Sequence, residues 1–433
     1  MVETTRFSMR GYRPLYYSAA AVILAAACAV PPVVAAVTYP EPIQLSVPEP
    51  SGPHDIGQVD LHLVDESRDH PWAPDTGQRE IMATVWYPAK DNAGGEDRAP
   101  YLSEAMADYI AGATLEQAGL PRDSVDLLGA TTHAVSGADA AGEPESLPVV
   151  LYSPGFEQSR HLATAQVEEL ASHGYVVAAI DHPYETDAVE FPDGRVLRGR
   201  APLDDQTHTE IGRAAVPARI ADAELVLDAL TGISNGDNPD VSDATLPNDL
   251  GEALDLSTVG MFGHSMGGFT AAELMVGDER VDAGIDLDGS VAYHVGDEVW
   301  AEATTRGVDR PFMIMAGGMS GGAVEHPHTS EHSHDYERFR ELSGETMELY
   351  LPEAEHMSFM DAQWLLPQID AGLRPDNNEW EAMEASIGTI APERSVAAQR
   401  AHITAFFDVY LRGEEQPLLD GPSEEYPEVE FID

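Results

Sequence analysis

Six short apolar runs, alternating with stretches that repeat like helices, constrain this chain more than any other feature. LPVVLYSP, YVVAAIDHP, STVGMFGHS, AGIDLDG, PFMIMAGG and MELYLPEAEH are each continuous or nearly continuous in apolar residues and end in a turn. Between them lie HLATAQVEELASHG, closed by Gly174, then AVPARIADAELVLDALTGI and GGFTAAELMV, all with helical spacing. A strand that is apolar on both faces has helices covering both of its faces. Such runs joined by helices predict a parallel sheet in an α/β domain. No period of solenoid length interrupts the alternation. At 433 residues and 43% hydrophobic, the chain has material for one large core or two ordinary ones.

Upstream of the first run the signals are weaker. Residues 81–89, IMATVWYPA, alternate like a strand, while residues 37–80 are rich in Pro, Asp and His and read as a linker with edge structure. Residues 92–146 are polar and rich in Gly and Ala, with short helical pieces such as SEAMADYIAGA, and read as an insertion. The catalytic domain is expected to span residues 81–433.

The pattern G-x-S-x-G occurs three times: GISNG at 232–236, GHSMG at 263–267 and GMSGG at 318–322. A nucleophilic serine on a strained turn needs a strand running into it, a helix leaving it, and small residues two positions to each side. GISNG follows a helix and enters the loop DNPDVSD. GMSGG follows a strand, but AVEHPHTSEHSHD is no amphipathic helix. Only GHSMGG has the strand TVGMF before it and the helix GFTAAELM behind it. With 37 glycines in the chain, chance matches are expected, and Ser265 is the candidate nucleophile.

Such a serine needs a base and an acid that orients it, in the chain order serine, acid, histidine. His356, in LPEAEHMSFMD, follows the last strand, where a loop carries it back over the serine. His264 adjoins Ser265 and reads as support for the turn, since it cannot fold back as base. The turn after PFMIMAGG offers no carboxylate before Glu325. AGIDLDG places Asp288 at a strand's carboxyl end before a glycine, with Asp286 two residues deeper as the fallback. The oxyanion donors fall on the backbone N–H groups of Met266 and Phe156, the latter in the turn SPGFEQ. His326, His328, His332 and His334 form a tract in an acidic Gly/Ser loop, which reads as solvated rather than as a metal site.

Seventy-six acidic residues against 23 basic ones give a formal charge of −53, and Lys90 is the only lysine. Such a surface repels nucleic acid and anionic membranes, and suits a saline habitat where cations screen the repulsion. Residues 1–36 read as an export signal: Arg6, Arg10 and Arg13, an apolar run from Tyr16, and small residues Val34-Ala35-Ala36 before Val37. Pro31 and Pro32 interrupt the run early for an uncleaved anchor. Cys28, the only cysteine, lies inside it, so a processed chain would hold neither disulfide nor thiol nucleophile.

The runs LPVVLYSPGFEQSR, LASHGYVVAAIDHP, VGMFGHSMGGFTAAE, AGIDLDGS and EHMSF together resemble the secreted platelet-activating-factor acetylhydrolase family and its bacterial lipase-like relatives, over residues 80–412. The resemblance implies an α/β-hydrolase fold, the triad Ser265, Asp288 and His356, and oxyanion amides on Phe156 and Met266. Pro154 stands where the animal enzymes carry a histidine, and the insertions at 92–146 and 232–256 differ from them. The reading is an exported serine esterase, with no cofactor and no metal, acting on a small-molecule or lipid ester and touching a lipid surface where the ester is a lipid. Its rivals are a broad lipase, cutinase-like or polyester hydrolase, and a non-catalytic binding protein that kept the fold.

Overall fold

In the computed structural model, residues 41–90, 98–202, 206–296, 298–320 and 325–433 are described; the export segment at 1–36 lies outside them. Eleven of the strands among the described residues form one sheet. In chain order they are β1 (Ile56–Asp69), β2 (Gln78–Pro88), β3 (Arg98–Pro100), β4 (Thr131–Ser136), β5 (Leu147–Ser153), β6 (Val176–Ile180), β7 (Leu254–His264), β8 (Ala283–Leu287), β9 (Phe312–Gly317), β10 (Thr346–Leu351) and β11 (Glu430–Phe431). Across the sheet they run β11-β10-β9-β8-β7-β5-β6-β2-β1-β4-β3. The six apolar runs are β5 to β10, and they pair in parallel throughout.

Alternate residues of these strands feed two cores. Val149, Leu151, Met261 and Ile314 face helices α2 (His208–Ser234), α3 (Met266–Gly277) and α4 (His334–Leu342), meeting Val226, Leu230, Leu274 and Phe339. Val150, Phe262, Met313 and Leu349 face α1 (Thr164–Ser172) and α6 (Pro392–Arg412), meeting Val167, Leu170, Ile403 and Phe406. Both faces are therefore dry, which is why these strands carry no polar alternation.

The N-terminal part is more ordered than its composition indicates. Residues 37–80, read as linker and edge, contain the long strand β1, which pairs antiparallel with β2 from Ile56 opposite Pro88 to Asp65 opposite Arg79. Asp60 and His62 hide that strand from a hydropathy reading: the first lies near the Arg160 guanidinium, and the second bonds Glu80 and Ser242. The insertion at 92–146 supplies β3 and β4 to the same sheet, and its residues Tyr101, Met106, Ile110 and Leu115 pack on Trp364 and Leu365 of helix α5 (Ala362–Leu373). Among the described residues no helix is long and apolar enough to cross a membrane. The loops leaving the carboxyl ends of β5, β7, β8 and β10 gather at one rim of the sheet, where open parallel sheets place their ligands.

Candidate active site

The turn at Ser265 is built from glycine and backbone. Ser265 sits at φ 55°, ψ −120°, outside the regions an ordinary residue occupies. Its N–H donates to Leu287 O at 2.9 Å, tying the turn to the end of β8. A Cβ on Gly263 would lie 2.3 Å from the carbonyl carbon of Gly267, and one on Gly267 only 1.8 Å from Ser153 O. Both positions therefore exclude side chains, and the first turn of α3 nests against the end of β5. Strain at a non-glycine residue of this kind costs on the order of 1–3 kcal/mol, and it leaves Ser265 at the rim with its side chain partly exposed.

Three sequence-predicted side chains meet there. His356 Nε2 lies 3.1 Å from Ser265 Oγ, and His356 Nδ1 lies 2.6 Å from Asp288 Oδ2. His356 opens a short 3₁₀ turn, His356–Phe359, pinned by Met357 N–H on Ser386 O at 2.9 Å and Ser358 Oγ on Ile387 O at 2.6 Å. Asp288 is buried just past β8, with its N–H on Met315 O at 2.9 Å. Burial works against the charged form of its carboxyl, but His328 and His356 outweigh that and hold it well below the usual carboxylate range.

Asp286, the fallback acid, points elsewhere. Its Oδ1 accepts from Gly289 N–H at 2.9 Å and packs where a Gly268 side chain would be. Burial lifts its carboxyl well above the usual range, against the pull of His328. His264 is fully buried, with Nε2 donating to His356 O at 2.9 Å and Nδ1 2.9 Å from Gln158 Oε1. Burial, with the neighbouring His356, pushes His264 down to about 3, so it holds the His356 backbone as a neutral ring donating from Nε2.

Ser234 is exposed at the end of α2, its hydroxyl donating to Thr231 O at 2.9 Å. Ser320 ends the short strand Met319–Ser320, and residues 321–324 that follow lie outside the described set.

The expected oxyanion residues share one apolar cluster. Phe156 is packed with Ile211 and Ala215, and Met266 and Trp72 lean on them. Met266 is the first residue of α3, where a backbone N–H has no partner within the helix. The loop carrying Phe156 is clasped from below by Arg219 of α2, which donates to Ser153 Oγ at 3.0 Å, Pro154 O at 2.6 Å and Gly155 O at 3.1 Å. Glu185 neutralises that guanidinium, accepting from Nε at 2.9 Å and 3.1 Å. Deeper still, His182 joins Ser153 Oγ at 3.0 Å to Asp222 Oδ2 at 2.9 Å, and Asp222 also holds Arg79.

Two features of this site were not read from the sequence. One is the Arg219–Glu185 clasp. The other is His328, assigned to a solvated tract, which instead sets its Nδ1 2.9 Å from Asp288 Oδ1. The rest of the tract disperses: His326 stacks on His332 with centroids 5.8 Å apart, and His334 begins α4.

Comparison with known proteins bears on the chemistry. The family profile described as platelet-activating factor acetylhydrolase, isoform II, matches residues 42–315. The chain is 27% identical over 431 residues to the probable 1-alkyl-2-acetylglycerophosphocholine esterase of Arthroderma benhamiae, covering 93% of this chain and 97% of that one. It is 26% identical over 267 residues to the platelet-activating factor acetylhydrolase of Cavia porcellus, covering 59% and 57%. Among solved structures, the ferulic acid esterase from Streptomyces cinnamoneus superposes with a TM-score of 0.70 at 34% identity, covering 90% of this chain and 99% of that one.

Proposed function

The chain belongs to the platelet-activating factor acetylhydrolase family and is a carboxylic ester hydrolase, and from that premise we propose that it works through an acyl-enzyme on Ser265. The observation that carries this reading is the continuous relay Ser265 Oγ, His356 Nε2 at 3.1 Å, His356 Nδ1, Asp288 Oδ2 at 2.6 Å. Asp288 keeps the proton on Nδ1, so Nε2 presents its lone pair to the serine. As Ser265 Oγ bonds the ester carbonyl carbon, its proton passes to His356 Nε2. The oxygen that gains charge is met by the N–H of Met266, at the start of α3, and that of Phe156, in the loop that Arg219 and Glu185 hold in place. His356 then hands its proton to the departing alcohol, and water, deprotonated by the same nitrogen, releases the acid.

For the substrate we favour a short acyl ester of a glycerophospholipid, in line with the names carried by the Arthroderma and Cavia relatives. An aromatic acyl ester is the second reading, supported by the higher identity and near-complete coverage of the ferulic acid esterase. Export, with a surface adapted to salt, completes the proposal and rests on residues 1–36 and on the charge of −53. The test is turnover of an acetylated phospholipid, of nitrophenyl esters of graded acyl length and of methyl ferulate by wild type and Ser265→Ala, alongside fluorophosphonate labelling. Loss on the order of 10³-fold or more in the variant, with loss of labelling, is expected. A variant that still turns over and labels elsewhere would remove Ser265 from the mechanism.

A further inference from the structure

Asp288 faces two imidazoles. His356 takes Oδ2 and His328 takes Oδ1, where Gly317 N–H also donates at 3.0 Å. His328 is itself held on several sides. Its ring stacks on Tyr336 of α4, with centroids 4.8 Å apart and planes 17° from parallel, and Tyr336 Oη in turn donates to Gly289 O at 2.6 Å. The backbone N–H of His328 donates to Gly318 O at 3.2 Å. We propose that His328 is a positioning residue for the hydrolysis, a cationic second donor that fixes the Asp288 carboxylate and weakens its hold on the His356 proton.

The charged and titratable groups around His328 support the cationic form. Asp286 and Asp288 face it from the end of β8, and Asp335 and Tyr336 from α4, with His356 across the shared carboxylate. Burial alone would neutralise the ring, but the charge and hydrogen bond of Asp288, and then the charge of Asp335, outweigh it and hold His328 above its ordinary value. A positive charge on the far oxygen of Asp288 draws electron density from the oxygen facing His356. The imidazolium that His356 becomes on taking the serine proton is then less stabilised, and the acidic limb of the pH profile reports that balance. A purely steric role would anchor the carboxylate without moving that limit.

This inference rests on the acyl-enzyme reading of Ser265 and His356. It is tested by pH profiles of kcat and kcat/KM on 4-nitrophenyl acetate for wild type, His328→Gln, His328→Ala and Ser265→Ala, with thermal melts and fluorophosphonate labelling of each. In His328→Gln, which keeps a neutral donor, the acidic limb of kcat/KM moves upward by on the order of one pH unit. In His328→Ala the limb moves likewise, and kcat at the alkaline plateau falls further, about tenfold or more, while KM changes little. An acidic limb unmoved in both folded variants overturns the proposal, as does a loss of activity that merely follows a loss of folded protein. Turnover retained by Ser265→Ala overturns the serine reading itself, and this inference with it.

Discussion

Replacing Arg219 by methionine isolates the scaffold of the oxyanion loop from its chemistry. Arg219 and Glu185 have side chains 1% and 3% exposed, so neither charge is relieved by water. Methionine fills much of the same volume but removes the donors to Ser153 Oγ, Pro154 O and Gly155 O, and it strands the Glu185 carboxylate. Removing one partner of a buried ion pair costs about 3–5 kcal/mol, chiefly from the charge left behind. Unfolding entropy near 2.1 cal/mol/K per residue, over a domain spanning residues 41–433, amounts to roughly 0.8 kcal/mol/K. Tm should therefore fall by about 4–6 °C. Activity should fall further than stability implies, because Pro154 and Gly155 lead directly into Phe156. Loss of a single oxyanion donor costs on the order of 10²–10³-fold in kcat, which bounds the effect from above. The assay is a thermal melt with kcat and KM on 4-nitrophenyl acetate, for Arg219→Met and for the double variant Arg219→Met, Glu185→Leu. The double variant should recover most of the Tm, since no charge is left unpaired, yet little of the kcat, since the carbonyls stay unclasped. An Arg219→Met protein melting within 1 °C of wild type with kcat intact would refute the reasoning.

The two carboxylates after β8 should separate cleanly. Asp288→Asn turns an amide N–H towards His356 Nδ1, reverses the tautomer and should cost on the order of 10⁴ in kcat, the size known for a serine-protease triad. Asp286→Asn should cost less than tenfold, and equal losses in folded variants would reassign the acid. Glu157 gives a pH-dependent stability. Burial first, then the charges of Asp187 and Glu185, pushes its carboxyl up to about 7. Its folded value exceeds its unfolded one, so stability present in acid is lost as pH rises from about 4.5 through about 7. Glu157→Gln should then melt above wild type at pH 8 and level with it at pH 4.5, and coincident melts at pH 8 would contradict that sign.

What could be read from the sequence follows from how local each constraint is. The elbow was legible because everything it requires lies within about ten residues: TVGMF, two glycines that admit no Cβ, and the start of α3. Strands β5 to β10 were legible because burial on both faces leaves a continuous apolar run. Strand β1 was obscured because its polar side chains find partners far along the chain, as His62 does at Ser242. His328 was missed for the same reason. Its tract is polar in composition, and only the bridge that sets Ser320 opposite His326, together with the stack on Tyr336, turns one of four histidines towards Asp288. The clasp on the oxyanion loop did leave a trace. Arg219 and Asp222 lie on the same stripe of α2 as Ala215, Ala223 and Val226, where a charged residue has to be paired.

The imbalance of cations is the surface sign of the same economy inside. Lys90, the single lysine, pairs directly with Asp249 on the exterior, where surrounding water weakens the attraction. Several arginines, in contrast, hold backbone carbonyls, while others such as Arg195 and Arg280 pair with carboxylates at the surface. Arg79 takes Pro183 O; Arg310 takes Met275, Asp278 and Val281; Arg400 takes Pro48, Glu49 and Ala165; Arg412 takes His173 and Gly174; and Arg219 takes Pro154 and Gly155. A guanidinium offers five donors in a rigid plane and spans two or three carbonyls at once, which an ammonium on a flexible stem does not. Surface lysine can be exchanged for acid at small cost, because an exposed ion pair contributes only about 0–1 kcal/mol. A clasping arginine cannot be exchanged without leaving carbonyls unpaired. A charge of −53 is therefore compatible with a chain that has one lysine yet keeps its clasping arginines, Arg219 beneath the loop of Phe156 among them.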